Sequence, residues 1–122
     1  MKILLTDYDY QEDILFFHLS ENPNYEFSEN LNKDILIDFN KDKLPIGLEI
    51  FNASKVLKTK KIYLNQIEQG ILKIKINEEN INLNLNLTIL IHQKQTDLPI
   101  EVTEDNIYNL PNVQTEVAVT SS

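Results

Sequence analysis

Apolar and polar side chains alternate with a period of two along most of this chain, the period of a half-buried β-strand. Ile3 to Tyr8 and Asp13 to Ser20 alternate on either side of the polar Asp9-Tyr-Gln-Glu12, which predicts a hairpin. After Asn22-Pro-Asn24 an extended stretch around Tyr25 to Ser28 leads to Asp34 to Phe39, where Ile35, Ile37 and Phe39 share one face. Asn40 to Lys43 forms a tight polar turn into Leu44 to Phe51, whose Leu44, Ile46, Leu48 and Ile50 again share a face. Pro45 has no ladder donor, so it belongs at an edge or facing away from a neighbour.

Beyond residue 70, Leu72, Ile74 and Ile76 alternate with Lys73 and Lys75, and Asn77 to Asn80 turns the chain. The most regular stretch follows. Ile81, Leu83, Leu85, Leu87, Ile89 and Ile91 form one stripe, with Asn82, Asn84, Asn86 and Thr88 opposite. That strand would run roughly 35 Å, against a radius of gyration of about 14 Å for a domain of this length. It must bend, or extend into a partner. A strand at Leu98 to Thr103, a turn or short helix around Glu104 to Asn109, and a last strand at Val113 to Thr120 complete the pattern.

The period changes at Asn52, whose side chain can cap a short helix over Ala53 to Leu57. Thr59 is a second candidate cap, for Lys60 to Glu68, and Gly70 fits the left-handed residue after a helix end. Leu57, Leu64 and Ile67 would then face the sheet. The expected fold is a single α+β domain over 1–122, mainly antiparallel: strand-rich at 1–51, helical at 52–68 and strand-rich again at 70–120.

Composition narrows the function. The chain has 122 residues, 42% hydrophobic and 25% charged, which excludes a disordered or fibrous protein. Cysteine is absent, which removes disulfides, thiolate metal sites and a cysteine nucleophile. All eleven basic residues are lysines, and nineteen acids bring the net charge to −8, so nucleic acid and anionic membranes are disfavoured partners. The amino terminus lacks a signal-peptide core, and no apolar run approaches a membrane span, so a cytoplasmic location is expected. Charge is also uneven. Residues 55–75 carry six lysines against Glu68, while 97–122 carry five acids and no base. Lys58, Lys60, Lys61, Lys73 and Lys75 are therefore candidate interaction residues, provided the helix end lies beside the following strand.

Tyr8-Asp9 with Asp13, then Asp34 to Asp38, Gly47-Leu-Glu49 and Asn52-Ala-Ser54 occur in an ordered series. Over its first 57 residues the chain resembles the small prokaryotic domain of unknown function family 2283, and the remainder is similar to the extension of longer archaeal relatives. The resemblance implies no established activity. It does imply a possible role for some short relatives as antitoxin partners of ribonuclease-type toxins. Lys43 departs from the family pattern, standing where a turn glycine is usual.

Enzymatic chemistry is thinly represented. Asp38, Asn40, Asp42 and Glu49 fall at calcium-loop spacing, but Lys43 replaces the required glycine and the flanks alternate as strands, so a charged hairpin turn is the better account. Asp7, Asp9, Glu12 and Asp13 read as a solvated turn. His18 and His92 could join Asp7 or Asp9 at a metal only if their strands were adjacent. Ser54 has no nucleophile elbow around it. No catalytic, cofactor or metal residue is assigned, and no cofactor is expected. The leading expectation is a non-catalytic interaction or scaffold protein that self-associates as a homo-oligomer. The alternatives are an antitoxin-like protein partner for a basic ribonuclease-type toxin and a metal-dependent enzyme using carboxylates and histidines.

Overall fold

A computed structural model describes residues 3–20 and 24–121; most of the Asn22-Pro-Asn24 turn thus lies outside the described residues. The described residues form β1 (Ile3–Asp9), β2 (Ile14–Leu19), β3 (Tyr25–Asn30), β4 (Ile35–Asn40), β5 (Pro45–Phe51), α1 (Ala53–Val56), a 3-10 helix (Lys61–Gln66), β6 (Ile67–Ile76), β7 (Asn80–Ile91), β8 (Lys94–Asp105) and β9 (Val113–Ser121). The strands make one nine-stranded sheet in the order β3-β4-β5-β2-β1-β9-β6-β7-β8.

This fold is predominantly β, which corrects the α+β expectation. The anticipated helix over 52–68 is reduced to α1 and the 3-10 helix. Lys58 adopts a positive φ of 56° just after α1, Lys60 is extended, and Ile67 already pairs with Ile89 across the sheet. Pairing with β7 overrides the local helical spacing. Gly70 therefore lies within β6 and not at a helix end, and no described glycine has a positive φ. The ladder is also not wholly antiparallel. β9 returns to the middle of the sheet, antiparallel to β6 but parallel to β1, with Leu4 opposite Val119.

The two strand-rich halves thus share one sheet, zipped by β9, and one core. Leu4, Leu15, Phe17, Ile37, Phe39, Leu48 and Ile50 from the first half pack with Leu72, Ile74, Leu83, Leu85, Leu87 and Val119 from the second. Full burial of each large aliphatic or aromatic side chain contributes about 1.5–3 kcal/mol. Leu57, Leu64 and Ile67 are buried as their spacing predicts. The sheet curls far enough that the Tyr108 hydroxyl, between β8 and β9, donates to the Asn30 carbonyl at the end of edge strand β3, at 2.8 Å. Curling accommodates β7, which pairs with β8 along its whole length and with β6 on its other side. β7 is interior, so it does not reach a partner edgewise; β3 and β8 are the sheet edges.

Candidate functional site

The residues of the family-like series gather in two places. In the first, β1, the β1–β2 turn and α1 meet. Asp13 Oδ1 accepts hydrogen bonds from the Tyr8 hydroxyl at 2.7 Å and the Ser54 amide at 3.0 Å, and its Oδ2 accepts the Ser54 hydroxyl at 2.6 Å. Burial alone would raise the Asp13 carboxyl, but the bonds from Ser54 and Tyr8, with the charge of Lys61, outweigh it and hold it below its ordinary value. Burial and the same bond to Asp13 push the Tyr8 phenol well above its ordinary range. Lys61 closes the cluster from outside, with Nζ 4.7 Å from the centre of the Tyr10 ring.

This arrangement corrects the expected helix cap. Asn52 occupies the cap position in a left-handed conformation and makes no side-chain cap bond. Its Nδ2 instead donates to Asp34 Oδ1 at 3.1 Å. The cap comes from Asp13, so Ser54 is held as part of a structural pin and not presented as a nucleophile.

The second place is the outer face of β4, β5 and β2. Asp38 lies opposite Gly47, and Gly47 lies opposite His18, so no side chain separates that aspartate from that histidine across β5. A Cβ on Gly47 would approach Phe17 O at 2.8 Å and Asp38 Oδ2 at 3.0 Å, which only glycine tolerates without a shift. Tyr25 donates to Ser28, and Ser28 donates to Asp38 Oδ1 at 2.6 Å. Glu49, opposite Phe16 and Leu36, is pushed up to about 7, by burial first and then by the adjacent Asp38 carboxyl. His18 Nε2 lies 2.8 Å from Asp7 Oδ2. His92 sits in the β7–β8 turn, and β1, β9 and β6 separate its strand from β2 in the sheet order. The two histidines therefore do not share a strand pair.

The calcium-like spacing resolves as a hairpin. Asn40 Oδ1 accepts the amides of Asp42 and Leu44, at 2.9 and 3.0 Å, which commits that oxygen to the turn. Lys43 takes a φ of 63°, the left-handed conformation that glycine adopts most readily. Among the described residues no group of three or more acids and histidines is placed to hold a metal ion. An apolar cavity of about 240 Å³ opens where β1, β5 and β9 meet, lined by Leu4, Leu19, Ile46, Leu72 and Val117. It is smaller than the roughly 300 Å³ at which ordinary ligand sites begin, and neither Glu49 nor His18 lines it.

The five candidate lysines divide between two parts of the fold. Lys58, Lys60 and Lys61 lie around the ends of α1 and the 3-10 helix. Lys73 and Lys75 lie on the outer face of β6, six and eight residues beyond its start at Ile67, or about 20 and 26 Å at strand rise. Lys73 approaches Glu116 of β9 at 3.6 Å, with both side chains exposed.

On this second-half outer face the register sets residues into level rows. Lys75, Asn82 and Thr103 make one row; Lys73, Asn84 and Glu101 the next; Ile71, Asn86 and Pro99 the third; Gln69, Thr88 and Asp97 the fourth. Lys73 and Lys75 thus fall in the β6 column, Asn82, Asn84 and Asn86 in the β7 column, and Asp97 and Glu101 in the β8 column. Ile71 is 48% exposed within it. Alternation marks each of these residues as outward-facing, but the columns emerge only from the pairing register.

No helix among the described residues is long and apolar enough to cross a membrane. No curated protein and no solved structure gives a significant match to the chain. The family model described as Protein of unknown function (DUF2283) matches residues 6–54, the segment that contains both motif clusters, so this part of the chain is similar to that family.

Proposed function

We propose that this protein is a non-catalytic interaction module that associates with itself. The observation that supports the reading is the outer face of β6, β7 and β8, where a basic column and an acidic column flank an asparagine column around the exposed Ile71. The polar residues of the family segment have a different character: Asp13, Ser54, Asn40 and Asn52 are engaged in bonds that hold turns and α1 in place. Such groups maintain a scaffold. The second-half face has side chains of both signs directed outward, which favours a specific partner over bulk solvation.

The test is sedimentation of the full chain over a range from about 1 to 100 μM, where weak specific interfaces are populated. A species of twice the chain mass that grows with concentration is expected. A monomer throughout that range removes the reading.

A further inference from the structure

The second half of the sheet presents two surfaces to a second copy, the free edge of β8 and the outer face behind it. The edge is poorly suited. Pro99 lacks a ladder donor, and Asp97, Glu101, Glu104 and Asp105 would bring two acidic strands together. The outer face is self-complementary.

We propose that two copies stack face to face through β6, β7 and β8, related by a two-fold axis that runs along β7. This inference rests on the self-association reading and specifies its geometry. Rotation about an axis along a strand keeps each row at its own level and exchanges left for right. β7 then lies over β7, and β6 of each copy over β8 of the other. In the second row Lys73 of one copy faces Glu101 of the other, and Asn84 faces Asn84. In the third row Ile71 faces Pro99, so the exposed apolar side chain meets an apolar one. In the fourth, Gln69 faces Asp97, a donor against an acceptor. In the first, Lys75 faces the Thr103 hydroxyl.

Across β6, β7 and β8 no row sets like charges against each other, and Lys73 is shared between Glu116 of its own copy and Glu101 of the other. A two-fold axis also doubles each contact, because residue i meets j and j meets i. Asn84 and Asn86 carry both donors and acceptors, so an asparagine column can satisfy its own copy across the axis. Two sheets stacked in this way lie about 10 Å apart. Four rows over three strands cover roughly 400 Å² per copy, or about 800 Å² in total. That is below a standard specific interface and implies a weak, concentration-dependent dimer.

Charge exchange on the full chain tests the arrangement by sedimentation at low salt. Lys73→Glu and Glu101→Lys are each expected to weaken the dimer about tenfold or more, since each places like charges together twice. The double variant Lys73→Glu with Glu101→Lys is expected to recover most of the affinity. Asn84 separates these two residues within one copy, so recovery reports a contact between copies. Both sites are exposed, and unchanged thermal melts will show that each variant is folded. A dimer indifferent to the single variants overturns this face while leaving self-association intact. Single variants that weaken the dimer without recovery in the double overturn the Lys73–Glu101 pairing. A chain that never dimerises overturns the self-association reading itself.

Discussion

Asp13 caps a short helix through a residue 41 positions later in the chain: its carboxylate receives both the amide and the hydroxyl of Ser54, at 3.0 and 2.6 Å. The first hairpin and α1 are thereby tied together, and the Asp13 carbonyl adds a bond from the Ala53 amide at 2.9 Å. Asp13→Ala is expected to cost about 2 kcal/mol, the range for a charged acceptor that leaves donors without a partner. Tyr8→Phe, which removes one of three bonds to that carboxylate, should cost less. Chemical denaturation of the two variants measures the order; an Asp13→Ala protein as stable as the parent would show that the pin is dispensable. Because its folded value is lowered, the contribution of Asp13 is present above its ordinary carboxylate value and lost as pH falls through the folded one.

Lys43 is expected to improve on replacement by glycine. Its φ of 63° is strained for a lysine and free for glycine, whereas its side chain is exposed. The relief of a left-handed residue, about 1–2 kcal/mol, exceeds the entropy that glycine adds to the unfolded chain, about 0.5–1 kcal/mol. Lys43→Gly should therefore raise stability by roughly 0.5 kcal/mol. A lowered melting temperature would mean that the lysine side chain contributes more than its exposure indicates.

The strands were legible because alternation reports burial on one face, and stretches such as Ile81 to Ile89 alternate without a break. The neighbours of each strand were not legible. That β9 would lie between β1 and β6 depends on contacts between residues 37 or more apart, for which a period-two pattern carries no signal. The same gap hid the charge columns at Lys73 and Glu101, each an ordinary exposed strand residue until paired through Asn84. The helix was misread because Lys60 to Glu68 has helical apolar spacing, yet Ile67 gains more from pairing in the sheet. The turns at Asn40 and Asn77 were legible, whereas those at Asn32 and Asn106 were not; in all four the asparagine side chain accepts backbone amides that shape the turn.

Gly70 separates the two accounts of its segment. A helix-ending glycine would be replaceable at a cost set by its positive φ. In β6 the cost comes from crowding instead, since a Cβ would lie 2.7 Å from Asn86 O and 2.8 Å from Leu87 Cδ2. Gly70→Ala is expected to lose about 1–3 kcal/mol, as for an overpacked site. Hydrogen exchange should place the weakening at the β6–β7 ladder around Asn86. A neutral effect on stability would show that β7 can retreat at this position without loss.

Glu49 gives the fold a pH dependence of opposite sign to that of Asp13. Its carboxyl titrates at about 7 in the folded protein, against an ordinary value of 4.5, because burial and the neighbouring Asp38 both disfavour its charged form. Between those values the folded state holds a proton that the unfolded state has released, so stability falls as pH rises across that window. Below it the contribution is complete, and above about 7 it is gone. Glu49→Gln keeps the shape of the protonated acid and removes its titration. The expected result is a variant that gains on the parent progressively from pH 4.5 to 7 and holds a constant advantage beyond. Groups that do not touch Glu49 cancel in the comparison, so the difference between their stabilities reports on Glu49 together with its neighbour Asp38. A difference that does not change with pH would mean that Glu49 is solvated well enough to titrate as it does in the unfolded chain.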